Sequence, residues 1–275
     1  MGNTKVLFVT QEITPYLPES EMSVIGRYLP QEIQERGKEI RTFMPKFGCI
    51  NERRNQLHEV IRLSGMNLII DDSDHPLIIK VASIQSARMQ VYFIDNEDYF
   101  QRKFVFNDED GKEFTDNDER TIFFARGVLE TVKKLRWPPD LVHCHGWMTG
   151  LIPLYIKTAY RDDPLFSQTK VVYSVYDNGF KKPFKASFRN KLLMDGIIDH
   201  DLSFIRNPNC INLNKLAISK ADGVIIASEN INSKIRDFMH KSKIPVLEYH
   251  NKNDYVDVYA RFYDQILSSG VNEPV

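Results

Sequence analysis

The chain has 275 residues, 42% of them hydrophobic, with 36 basic against 37 acidic side chains. That balance excludes a nucleic-acid platform, which needs a basic excess to displace counterions from phosphates. Three cysteines far apart (Cys49, Cys144, Cys210), no leader-like opening and no apolar run near the roughly 20 residues of a membrane span predict a cytoplasmic chain with reduced thiols and no membrane contact.

Apolar runs of strand length alternate with amphipathic stretches of helix length, the pattern of an α/β fold with a mainly parallel sheet flanked by helices. Residues 6–9 form a continuous apolar run, as in a strand buried on both faces. A helix follows, with Met22, Ile25, Leu29 and Ile33 on one face and Gly37 as its stop, and Pro30 predicts a kink or local break in it. Residues 39–45 read as a second strand. Three β-like runs without an intervening helix, 60–70, 77–84 and 89–94, predict a β-meander inserted on the core over residues 57–95. Beyond an acidic loop at 107–118 comes a helix carrying Ile122, Ala125, Leu129, Val132 and Leu135. Asp116 is positioned to cap it, with Glu119 at its third position, and Pro138-Pro139 closes it.

Strand–helix alternation then resumes. Strands are expected at 141–145, 171–175, 224–227 and 244–247, with a helix bearing Ile231, Ile235 and Phe238 before the last of them. Residues 181–209 are basic, polar and irregular, and are expected to be mobile. A final helix over 253–268 presents Tyr255, Tyr259, Phe262, Tyr263 and Ile266 as one stripe, which reads as a packing face. No repeat or linker interrupts the chain, so residues 1–275 are expected to form one domain.

On a strand, His143 and His145 share a face, which admits a zinc reading. No third or fourth ligand stands nearby, so the preferred reading is polar groups at the carboxyl end of a parallel strand, where α/β folds place ligands. Cys144 points the other way and reads as a buried thiol. The run Asn107-Asp108-Glu109-Asp110 lacks a complete calcium-loop pattern and reads as solvated. No Walker A or G-x-G-x-x-G pattern occurs, and residues 11–20 contain no glycine. Neither a metal nor a cofactor is expected.

Several ordered segments resemble the glycogen and starch synthase family. They are the first strand with its loop (residues 5–15), Tyr28-Leu29-Pro30, Phe43-Met44-Pro45, residues 92–95 with Tyr99-Phe100, and Asp116-Asn117-Asp118-Glu119-Arg120. The most specific is Asp140-Leu141-Val142-His143-Cys144-His145-Gly146-Trp147; residues 214–228 carry the last. The resemblance implies one half of a two-domain glycosyltransferase of Rossmann-like domains, the N-terminal, acceptor-side half, closed by the crossing helix 253–268. It implies glucosyl transfer from ADP-glucose to an α-1,4-glucan, with the nucleotide gripped by a C-terminal domain that has no counterpart expected in these residues.

The departures from the family pattern fall on the chemistry. Its Lys-Thr-Gly-Gly-Leu-Ala-Asp motif corresponds to residues 18–24, Pro-Glu-Ser-Glu-Met-Ser-Val here. The phosphate-facing lysine is gone, and Glu19 and Glu21 add charge that repels a diphosphate. Gly146 and Met148 replace an aspartate and a histidine, and Tyr176-Asp177 replaces a histidine–asparagine pair. No residue is assigned a catalytic role. The sugar- or acceptor-binding candidates are His145, Trp147, Glu12 and Tyr176, expected to face solvent or a partner, with burial of Trp147 in the helix–sheet core as an equal alternative. Three functions follow. The first is an α-1,4-glucan-biosynthesis protein, weak or inactive alone. The second is a non-catalytic module that binds an α-glucan, a full-length synthase or a nucleotide-domain partner. The third is an independent enzyme with another small ligand near His145.

Overall fold

The computed structural model describes residues 3–194, 196–251 and 255–269. In β1 (Lys5–Thr10) the last five residues are buried, as the continuous apolar run demands. Helix α1 (Glu21–Glu35) opens on a capping box, with Ser20 Oγ accepting from Ser23 N and Ser23 Oγ accepting from Ser20 N. The helix is not broken at Pro30. The missing N–H forfeits one bond to the Gly26 carbonyl, while Leu29 and Ile33 on either side are fully buried and hold the helix on course.

β2 (Glu39–Pro45) lies parallel to β1. The run expected over 60–70 is not one strand. A turn over 60–63, closed by Leu63 N donating to Val60 O, separates β3 (His58–Glu59) from β4 (Met66–Ile70), and Gly65 takes a φ of 84° before β4. β5 (Ser73–Ile84) and β6 (Met89–Asp95) complete the meander. That meander is continuous with the core, because β6 pairs parallel with β2 on one side and antiparallel with β5 on the other.

Short α2 (Glu97–Phe100) is capped by Asn96, and α3 (Asn117–Leu135) buries Ile122, Ala125, Leu129 and Val132. Asp116 occupies the N-cap position of α3 but makes no capping bond; its carboxylate pairs with Arg102 instead. β7 (Leu141–His145) is buried throughout and leads through a 3₁₀ turn to α4 (Ile152–Lys157), then to β8 (Lys170–Val175). The segment expected to be mobile is tied down. Lys181 N and Lys182 N donate to the two oxygens of the Glu113 carboxylate at 2.7 and 2.8 Å. Further along the same segment, α5 (Phe188–Lys191) ends on a lysine with a largely covered side chain, whose ammonium meets Glu119 at 2.5 Å and Asp118 at 3.1 Å.

α6 (Cys210–Lys220), β9 (Gly223–Ile226), α7 (Ser233–Lys241), β10 (Val246–Leu247) and α8 (Tyr255–Ser268) follow. Ile231 and Ile244 lie just ahead of the elements expected to contain them. Positions 253 and 254 of the predicted last helix fall outside the described residues. The strands lie in the order β10-β9-β8-β7-β1-β2-β6-β5-β3, parallel from β10 to β6, with β4 paired to β5. This mostly parallel sheet flanked by helices is the fold class that the alternation predicts. The order of strand connection reverses between the parallel neighbours β1 and β7, the crevice where doubly wound sheets place ligands.

α8 covers one face of the sheet with Tyr255, Tyr259, Phe262, Tyr263 and Ile266 against Val6, Phe8, Leu141, Val172 and Ile225. A Cβ on Gly223 would stand 2.7 Å from Ile266 Cδ1, so the helix presses directly on β9. No described helix is long and apolar enough to cross a membrane.

Candidate functional site

The carboxyl edge of the sheet brings the ends of β1, β7 and β8 together, and with them Glu12, His145, Trp147 and Tyr176. It does not leave them open. His145 is 1% exposed, Trp147 4% and Tyr176 8%, and Glu12 is half-buried. The expectation that these ends face solvent or a partner is therefore corrected for His145 and Tyr176, and Trp147 takes the buried alternative. The reason is tertiary: side chains from distant segments close over them.

The two imidazoles of β7 share a face, with ring centroids 3.8 Å apart. His143 is bonded at both nitrogens, Nδ1 with the Tyr263 hydroxyl at 2.6 Å and Nε2 with Ser174 Oγ at 2.7 Å. His145 Nδ1 meets the Tyr176 hydroxyl at 2.9 Å, and its buried Nε2 has no partner among the described residues. Burial holds His145 down to about 3. Burial first, and the neighbouring ring second, hold His143 well below its usual value. Both are held neutral at physiological pH, and no carboxylate among the described residues lies within 4.0 Å to favour their charged forms. Among the described residues no group of three His, Cys, Asp or Glu side chains converges to hold a metal. Cys144 lies on the opposite face, its thiol pushed up by burial, and the Cys210 thiol is pushed up to about 11 for the same reason. Neither is an activated nucleophile.

Gly146, where the family pattern has an aspartate, adopts a φ of 82°, and a Cβ there would meet Gln11 Oε1 and Met22 Cε at 2.6 Å. Gln11 fills that space and accepts from Met148 N. An L side chain fits neither the backbone nor the room. Trp147 is enclosed by Phe106, Phe180 and Phe184 at ring-centroid distances of 4.9, 5.0 and 6.1 Å.

The loop after β1 is committed to acidic groups. Glu12 Oε2 accepts from Ser20 Oγ at 2.6 Å, and Glu21 Oε2 accepts from Ser228 Oγ at 2.6 Å. Two carboxylates thus sit at the N-terminal end of α1 with hydroxyl partners. Replacing Ser20 with alanine removes the cap and the Glu12 partner together. The expected cost is about 1 kcal/mol in a urea melt. An unchanged midpoint would show that the capping box adds nothing.

Open space remains beside this closed edge. A cavity of about 270 Å³ lies between the loop after β8 and the starts of α6 and α7, lined by Tyr176, Asn178, Asn209, Asn214 and Asn232 among others. Asn209 and Asn232 each cap a helix through Oδ1, Asn214 accepts from the Tyr173 hydroxyl, and Asn178 Oδ1 is buried without a partner among the described residues. Of the four residues singled out from the sequence, Tyr176 alone lines this cavity. The asparagines were missed. Asn209 and Asn232 carry a helix-start signal, but nothing local in the sequence brings them together with Asn178.

Comparison with known proteins bears on this geometry. The family described as starch synthase catalytic domain matches residues 5–245. Glycogen synthase of Chlorobium limicola is 42% identical over 187 residues, 66% of this chain and 38% of that protein. Glycogen synthase of Chlorobaculum parvum is 35% identical over 234 residues, 85% of this chain and 47% of that one. The catalytic domain of starch synthase IV from Arabidopsis thaliana, solved bound to ADP and acarbose, superposes with a TM-score of 0.64 over 82% of this chain and 45% of that chain, at 17% identity. That likeness is one of fold. The chain spans less than half the length of the relatives it matches.

Proposed function

This chain belongs to the glycogen and starch synthase family, and from that premise we propose that it serves α-1,4-glucan biosynthesis by binding, with weak or no glucosyl transfer of its own. The observation that carries the reading is the amide-lined cavity beside Tyr176. Asparagine side chains offer both donors and acceptors, which match the hydroxyl groups of a sugar, and Asn178 Oδ1 is an acceptor awaiting a donor. The donor side supports it from the opposite direction. Glu19 and Glu21 stand in the segment 18–24 where the family pattern has lysine and glycines, and two carboxylates repel a nucleotide diphosphate. We assign the protein to the cytoplasm, a reading its three unpaired cysteines support.

The ligand in this reading is an α-glucan chain, held weakly and without catalysis; a full-length synthase is the competing partner. Calorimetry with ADP-glucose and UDP-glucose is expected to give no saturable binding in the micromolar range. Maltooligosaccharides are expected to retard the protein in affinity gels, and Asn178→Ala and Asn232→Ala to weaken that retardation about fivefold each, the loss of one hydrogen bond of roughly 1 kcal/mol. A micromolar donor affinity would return the protein to the enzymes. Absence of glucan retardation, with a synthase recovered from native extracts, would favour the protein partner.

A further inference from the structure

The opposite, amino-terminal edge of the sheet holds a cavity that the reading above does not use. It has a volume of about 440 Å³ and lies where β2 and β6 begin and α1 ends, lined by Gln34, Lys38, Arg41, Arg88, Gln90 and Tyr92 with Glu39 beside them. We propose that this cavity is a binding site for a small phosphate-bearing anion, with Arg41 and Arg88 as its principal contacts.

Arg41 is the centre of the argument. Its guanidinium lies over two aromatic rings, 5.2 Å from the centroid of Trp137 and 5.6 Å from that of Tyr92. Nη1 donates to the Tyr92 hydroxyl at 2.6 Å, while the buried Nε has no partner among the described residues. No carboxylate lies within 4.0 Å of Arg41 or Arg88 among those residues. A half-buried arginine ordinarily gains a carboxylate, because a desolvated charge without a counter-ion is costly. Here the described residues give it none within 4.0 Å, and the fork is already oriented by stacking. That removes much of the entropic cost of presenting it to an oxyanion.

Arg88 enters at the rim from a left-handed backbone conformation, φ 50°, uncommon for a residue other than glycine. Its side chain is exposed and available. Lys38 adds a third cation, answered by Asp264 of α8 at 2.7 Å. Glu39 is the carboxylate of the cavity wall, and it accepts from Trp137 Nε1. Positive charge therefore remains in surplus, and planar arginines suit phosphate oxygens through paired N–H donors. The amides of Gln34 and Gln90 are placed to meet hydroxyl or carbonyl groups on the remainder of such a ligand.

Inorganic phosphate and glycerol phosphate, titrated into the full chain against sodium chloride of matched ionic strength and followed by calorimetry and phosphorus NMR, test the assignment. Saturable binding beyond the chloride control is expected. It should fall roughly tenfold in Arg88→Gln, which loses an exposed charge without touching the core, and comparably in Arg41→Lys, which keeps the charge and loses the planar fork. Tighter binding of the ester than of phosphate identifies a phosphorylated metabolite as the ligand; equal binding identifies phosphate itself. No saturable signal beyond chloride, or native affinity in both variants while circular dichroism shows them folded, overturns the proposal.

Discussion

Stepped from about pH 7.5 to pH 5, the protein should lose unfolding free energy steeply once the pH falls below about 6.5, the ordinary histidine value. His143 and His145 are buried, neutral and held below that value, His145 down to about 3. In the unfolded chain both imidazoles take up protons near 6.5; in the folded protein neither does until far lower. The unfolded state therefore binds more protons throughout this window. Stability is fully present above 6.5 and is lost as the pH falls toward the folded values. Each ring contributes a slope of about 1.4 kcal/mol per pH unit, so the pair gives nearly twice that. Asp118 works the other way, because burial raises its carboxyl and proton uptake there favours the folded state. A comparison with His145→Gln cancels that contribution. The variant should melt at lower denaturant, having lost its bond to Tyr176, yet its stability should decline with acid at about half the native slope. Equal slopes in the two proteins would mean that the imidazoles are not the groups taking up protons.

That pair also marks what was legible in the sequence. The spacing of His143 and His145 places them on one face, and the continuous apolar run at 6–9 places β1 inside the sheet. The stripe from Tyr255 to Ile266 gives α8 its buried side. Each of those signals is local and periodic. The closure of the carboxyl edge is neither. Phe106, Phe180 and Phe184 lie in irregular segments, and only the tertiary path of residues 176–191, held by Glu113, Asp118 and Glu119, carries two of them onto Trp147. Pro30 failed as a breaker because the rule weighs one lost hydrogen bond and not the buried neighbours that outweigh it. Asp116 was read correctly as a position and wrongly as a cap, since Arg102 competes for its carboxylate from outside the helix. Arg41 shows the same limit in reverse: its place on β2 is plain, and its lack of a carboxylate partner is visible only once the fold has assembled its neighbours.

Trp147→Ala is expected to destabilise the protein by about 3–5 kcal/mol, the cost of removing a large aromatic side chain from a packed site. The ring is 4% exposed and lies against Phe106, Phe180 and Phe184, with Phe180 and Phe184 stacked on each other at 4.2 Å. Removing it leaves three phenylalanines around a void that the sheet edge has little room to fill, since even a Cβ on the adjoining Gly146 would meet Gln11 Oε1 and Met22 Cε at 2.6 Å. The same packing fixes what the tryptophan reports. In a Trp137→Phe background, where Trp147 is the remaining tryptophan, emission should be blue-shifted, poorly quenched by iodide and unchanged by maltooligosaccharide. A sugar-stacking ring would behave oppositely on all three counts. If emission is red-shifted and readily quenched, or if glucan shifts it, the segment carrying Phe180 and Phe184 lifts in solution and Trp147 is a contact residue after all. If instead the ring is shielded but Trp147→Ala costs less than about 1 kcal/mol, the aromatic cluster is loosely packed, and the surviving family motif is held in place by something other than its fit in this core.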